Sequence, residues 1–161
     1  MSGLEVLGAT AAAAQFVDVG WKVVISLSRL ISDLKQATKK VKVAARKLEQ
    51  LVCHVQLMQE DIQTLALSDA TTQSKRFSDG RLDTITALLR ECAGEAAALD
   101  NLLKQLIPGQ HERAIQRSWK AIVGVKKETE ILERCAQLDR LKLSLNLWFS
   151  HGSLVFLEKQ L

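Results

Sequence analysis

The sequence predicts an all-α fold: an up-and-down helical bundle of four long helices plus one short helix, in a single domain spanning residues 1–161. Three observations predict it. Apolar residues make up 47% of the chain, and Leu and Ala, both strong helix formers, dominate that set. There is one proline, Pro108, where a β-sandwich or barrel of this length would need many more turn residues. Apolar positions then recur at alternating spacings of three and four over long stretches, the period of a helix face.

The first helix is expected from about Gly3 to Gln36. Its polar residues Gln15, Asp18, Lys22, Arg29, Asp33 and Gln36 fall on one narrow stripe, with Asp18–Lys22 and Arg29–Asp33 as i, i+4 opposite-charge pairs. Before Gln15 it is apolar or small nearly all round, Glu5 excepted. Such a helix is either central to a bundle or meets a membrane. The uncharged run Val6 to Val17 is about 18 Å long as a helix, against a hydrocarbon core of about 30 Å, so a lone spanning helix is not expected. At rest a central bundle helix is the favoured reading. A releasable helix lining a pore with other copies is compatible with it.

The second helix is expected from about Lys39 to Ala66, with a heptad seam of Val41, Ala44, Leu48, Leu51, Val55, Met58, Ile62 and Leu65. On its opposite face lie Lys39, Lys42 and Arg46, continued from Lys35 and reinforced by Lys40 and Lys47. A basic stripe of this kind suits anionic lipid at about 1 kcal/mol per charge near the surface; a plain solvated face is the equal alternative. The polar stretch Leu67 to Gly80 reads as a loop. The third helix follows, about Arg81 to Leu106, with the seam Leu82, Ile85, Leu89, Cys92, Ala96, Leu99, Leu103 and Leu106. Ile107-Pro108-Gly109 stops it. The short helix is placed at about Gln110 to Val123, with Gly124 ending or bending it. The last helix runs from about Lys126 into the 150s, with Ile131, Cys135, Leu138, Leu141, Leu145 and Trp148 as its seam, and Gly152 is expected to break or fray it. Trp148 and Phe149 stand in an unusually apolar end and are candidates for an exposed interaction surface.

Tests for chemistry come back negative. Neither a Walker-type nor a dinucleotide-type glycine pattern is present. His111-Glu112 opens like H-E-x-x-H, but position 115 is Ile, so the second zinc ligand is missing. Cys53 and His54 are sequence neighbours and point about 100° apart on a helix, which rules out a dyad; Cys53 reads as a small core or boundary residue. Glu60-Asp61 read as solvated. The three cysteines, Cys53, Cys92 and Cys135, are widely spaced and odd in number, which fits a reducing compartment better than a disulfide framework. The N-terminus lacks the basic region that opens a secretory signal. A net charge of +4 permits an anionic partner. Arg113, Arg117, Lys120, Lys126 and Lys127 flank Trp119 without an aromatic platform among them, so nucleic-acid binding is not expected. No catalytic residue, metal or cofactor is expected, and the chain is read as a non-enzyme that contacts other macromolecules.

The opening Ser2-Gly3-Leu4-Glu5-Val6-Leu7-Gly8-Ala9, with the Ala-rich run to Gln15-Phe16, resembles the N-terminal domain of fungal NACHT-type NLR (STAND) proteins, the SesA-like group. The stretch Trp119-Lys120-Ala121-Ile122-Val123-Gly124-Val125-Lys126-Lys127-Glu128 resembles that group's second recurring segment. Such domains are similar in architecture to the HeLo and HeLo-like cell-death domains of fungal immunity and heterokaryon incompatibility. The resemblance implies an effector domain at the head of a NACHT or NB-ARC-type receptor module, in cis or in trans. Activation would cluster the domains and move them from the cytoplasm to the plasma membrane. There the segment 1–19, with Leu4, Glu5, Val6, Leu7, Phe16, Val17 and Asp18, would permeabilise the bilayer and kill the cell. Self-association and anionic membrane lipids are the partners this implies, with Lys35, Lys39, Lys40, Lys42, Arg46 and Lys47 as the lipid patch. The competing expectation is a homotypic helical adaptor that relays receptor clustering to a partner without touching lipid.

Overall fold

A computed structural model describes the backbone of residues 2–33, 39–67, 80–106 and 115–160, and the side chains of 4–31, 39–64, 80–105 and 127–149. The described residues form four helices and no strand: α1 (Ser2–Asp33), α2 (Lys39–Leu67), α3 (Arg81–Leu106) and α4 (Ile115–Gln160). Most of the predicted seam residues become the core; Ala44 is half-buried, Trp148 is exposed, and the side chains of Leu65 and Leu106 lie outside the described residues. Val41, Leu48, Leu51, Val55, Met58 and Ile62 of α2 are buried, as are Leu82, Ile85, Leu89, Cys92, Ala96, Leu99 and Leu103 of α3. Ile131, Cys135, Leu138, Leu141 and Leu145 of α4 join the same cluster, and α1 adds Val6, Ala9, Ala12, Ala13, Phe16, Val23, Val24, Leu27 and Leu30. One core therefore draws on all four helices.

The separate short helix is not seen. Ile115 to Val123 is the opening of α4, which runs unbroken through Gly124 and Gly152 to Gln160. A glycine inside a helix costs about 1 kcal/mol relative to alanine, which weakens a helix without ending it. The expected start at Gln110, the expected end of α1 at Gln36 and most of the expected loop lie outside the described residues.

Gly20 fixes the crossing of α1 and α2. A Cβ there would stand 2.6 Å from Val52 Cγ2, so only glycine permits the approach. The same crossing sets direction. Asp33 and Lys39 each lie thirteen residues, about 20 Å, from the crossing. Were the helices parallel, the five linking residues would have to span about 40 Å, beyond the reach of about 22 Å for six peptide steps; α1 and α2 are antiparallel. The ion pair Arg134–Glu95, at 3.0 Å, ties α4 to α3. By the same reasoning these two are also antiparallel.

Around the bundle the order is α1, α2, α4, α3. α1 packs on α2 and α3, and α4 packs on α2 and α3, while among the described residues α2 does not meet α3 and α1 does not meet α4. Consecutive helices α2 and α3 thus occupy a diagonal. With neighbouring axes 8–10 Å apart, that diagonal is about 14 Å, well within the reach of the chain between Leu67 and Arg81. Gly80 ends this connection with φ at +70°, and its carbonyl accepts the Thr84 amide at 3.1 Å, starting α3.

Candidate interaction surfaces

The first half of α1 is apolar on two sides. Inward, Val6, Ala9, Ala12, Ala13 and Phe16 join the core. Outward, Leu4 is 81% exposed and Leu7 67%, and Ala11 and Ala14 continue the stripe. Glu5 is half-buried, Val17 lies partly buried against the core, and Asp18 is exposed and paired with Lys22 at 3.2 Å. The seven residues expected to act on a membrane therefore divide: Leu4 and Leu7 are available at once, whereas Val6 and Phe16 are held inside. Among the described residues no helix is long and apolar enough to cross a membrane.

The expected lipid patch divides as well. Lys39, Lys40, Lys42, Arg46 and Lys47 are all exposed, and Lys35 lies outside the described residues. Lys42 and Arg46 belong to the outer face of α2. Lys39, Lys40 and Lys47 instead edge a groove of about 650 Å³ between α2 and α4. Its apolar walls are Val43, Ala44, Leu48 and Leu51 from α2 and Leu132, Cys135, Ala136 and Leu138 from α4. Among the described residues that line it the one acid is Asp139, 4.0 Å from Lys47. Among the described residues Lys39, Lys40, Lys42 and Arg46 have no ion pair.

Lys42 and Leu7 stand at opposite ends of the α1–α2 hairpin. Measured from the Gly20–Val52 crossing, Lys42 is ten residues away in one direction and Leu7 thirteen in the other, which separates them by about 35 Å along the bundle.

On α4 a third surface appears. Leu143 is 66% exposed, Leu147 69% and Trp148 37%. Phe149, expected exposed, is half-buried and packed on the core. The 3.6-residue helical period carries the inward line from Leu141 through Leu145 to position 149, displacing Trp148 toward solvent. The two leucines were missed because they stand off the inward seam, so periodicity alone marks them as ordinary outer positions. Nearby, Asn146 Oδ1 is buried and has no hydrogen-bond partner among the described residues.

The cysteines are free. Cys53 is exposed rather than core or boundary, because its neighbour Val52 takes the inward place against Gly20. Burial pushes the Cys92 thiol up to about 12, with Glu91 and Glu95 adding to it, and pushes Cys135 up to about 11. Among the described residues no cluster of three or more His, Cys, Asp or Glu could hold a metal ion. Set against known proteins, the chain matches no family model, no curated protein and no solved structure.

Proposed function

We propose that this chain is a membrane-acting effector domain, which self-associates on an anionic bilayer and permeabilises it through the first half of α1. The observation that carries the reading is the two-sided apolarity of that segment, with Leu4, Leu7, Ala11 and Ala14 outward and an alanine-rich face inward. Three of the five inward residues before Gly20 are alanines. Each buried methyl contributes about 0.8 kcal/mol, so this half of α1 is held less tightly than the Val- and Leu-rich half that follows. With the α1–α2 hairpin lying along the membrane, Lys42 and Arg46 meet anionic headgroups while Leu4 and Leu7 reach the interface. Clustering several copies then lets the apolar half exchange its core contacts for lipid and for its own neighbours, with no enzymatic step. The sequence resemblance supports the wider setting: a cytoplasmic cell-death domain governed by a NACHT or NB-ARC-type receptor and recruited to the plasma membrane on activation.

Leu143, Leu147 and Trp148 favour a second reading, a homotypic adaptor that recruits another helical domain through α4 without membrane activity. Dye release from phosphatidylserine-containing vesicles separates the two. The effector reading expects leakage from the intact chain that falls at least about tenfold in Leu4→Glu/Leu7→Glu, since charge is costly in the bilayer. It expects Lys42→Glu/Arg46→Glu to leak less at low salt. An oligomer that forms through α4 and leaks at no concentration would establish the adaptor instead.

A further inference from the structure

We infer that the groove between α2 and α4 is a binding site for one long-chain fatty acid, held as a monomer with its chain along the apolar walls and its carboxylate at Lys39 and Lys40. This goes beyond membrane contact, and the site would serve a folded bundle in solution whether or not α1 ever meets a bilayer. Three observations carry it.

The first is size. The groove's volume of about 650 Å³ lies within the range of about 300–1,000 Å³ for small-molecule sites. It follows α2 from Lys39 to Leu51, about 18 Å. Two chains end to end make up the roughly 30 Å hydrocarbon core of a bilayer, so one chain needs about 15 Å.

The second is polarity. Between the lysines and Asp139 the lining is apolar: Val43, Ala44, Leu132 and Ala136 are open to solvent, over a floor of buried Leu48, Leu51 and Leu138. The third is a local conflict in the fold. α2 opens Lys39-Lys40-Val41-Lys42 with no acid in its first turn, although the positive end of the helix dipole favours acids there. Lys39 and Lys40 have no ion pair among the described residues. A carboxylate at the α2 end of the groove resolves that repulsion with two charge-assisted hydrogen bonds. Lys47 already has Asp139 beside it, which directs the anion toward Lys39 and Lys40.

The test is fluorescence titration of the full chain with cis-parinarate, a fluorescent long-chain fatty acid, kept below its micellar concentration. Saturable one-to-one binding is expected, displaced by oleate and not by oleyl alcohol or inorganic phosphate. Ala136→Trp, which fills the groove from an exposed helix position, should abolish binding while circular dichroism stays unchanged. Lys39→Glu/Lys40→Glu should weaken it by about tenfold or more, and Lys42→Glu/Arg46→Glu by no more than about twofold. No saturable signal, equal displacement by oleyl alcohol, or full binding by a folded Ala136→Trp protein would each overturn the site. So would equal losses in the two lysine variants, which would mark a diffuse surface attraction.

Discussion

Single residues set the tolerances of this bundle. Gly20 is one: its missing Cβ is what lets Val52 close against α1. Gly20→Val should lower stability by about 1–3 kcal/mol, the usual cost of overpacking, as read from urea denaturation. Gly20→Val/Val52→Ala should recover part of that loss. Asn146 works the other way. Its buried, unpartnered Oδ1 costs desolvation with no bond in return, so Asn146→Leu should leave the melting temperature unchanged or raise it. The thiols show where sequence reading reaches and where it stops. Cys92 and Cys135 fall on seam positions, and their burial was legible. Cys53 was not, because one inward place is contested by two adjacent residues and the Gly20 crossing decides it. Ellman's reagent at pH 8 should therefore titrate one thiol rapidly in the folded chain and three after denaturation.

At the scale of elements, the helices and their inner faces were legible because hydrophobic spacing reports one helix at a time. α3 was placed at Arg81–Leu106 and α2 within one residue of its observed end. What depends on two helices was hidden. The stripe on α2 reads as one basic face until α4 lies beside it; then Lys39, Lys40 and Lys47 edge a groove while Lys42 and Arg46 keep the outer surface. The identity of Phe149 rather than Trp148 as the packed aromatic likewise follows from the drift of a 3.6-residue period along a long helix. Gly124 does not end the helix, because a glycine weakens a helix without acting as a stop signal.

For the whole molecule, one shared core makes stability respond to the titration of buried groups. Cys92 and Cys135 ionise in the unfolded chain from about pH 9, but in the bundle only near 12 and 11 respectively. Unfolding thus releases protons above pH 9, so stability is undiminished below that pH and falls as pH rises toward 11. Cys92→Ala/Cys135→Ala should flatten that alkaline limb in chemical denaturation, whatever it costs at neutral pH. The order α1, α2, α4, α3 also matters at this scale. It leaves α1 between two partners, so any departure of its first half must begin at the exposed Leu4–Leu7 end and stop near Gly20, where the tight crossing and the Val- and Leu-rich face take over.

Placing an environment-sensitive fluorophore on Leu7→Cys in a Cys53→Ser background tests the central claim most directly, with Leu143→Cys on α4, the helix diagonal to α1, as the control. Both positions are exposed in the free bundle. On phosphatidylserine vesicles under leakage conditions, the position 7 label should shift to the blue and be quenched by lipids carrying a spin label in the acyl chain. The position 143 label should not be quenched. Leakage with an unshifted label at position 7 would contradict the proposal that the first half of α1 is the membrane-acting segment.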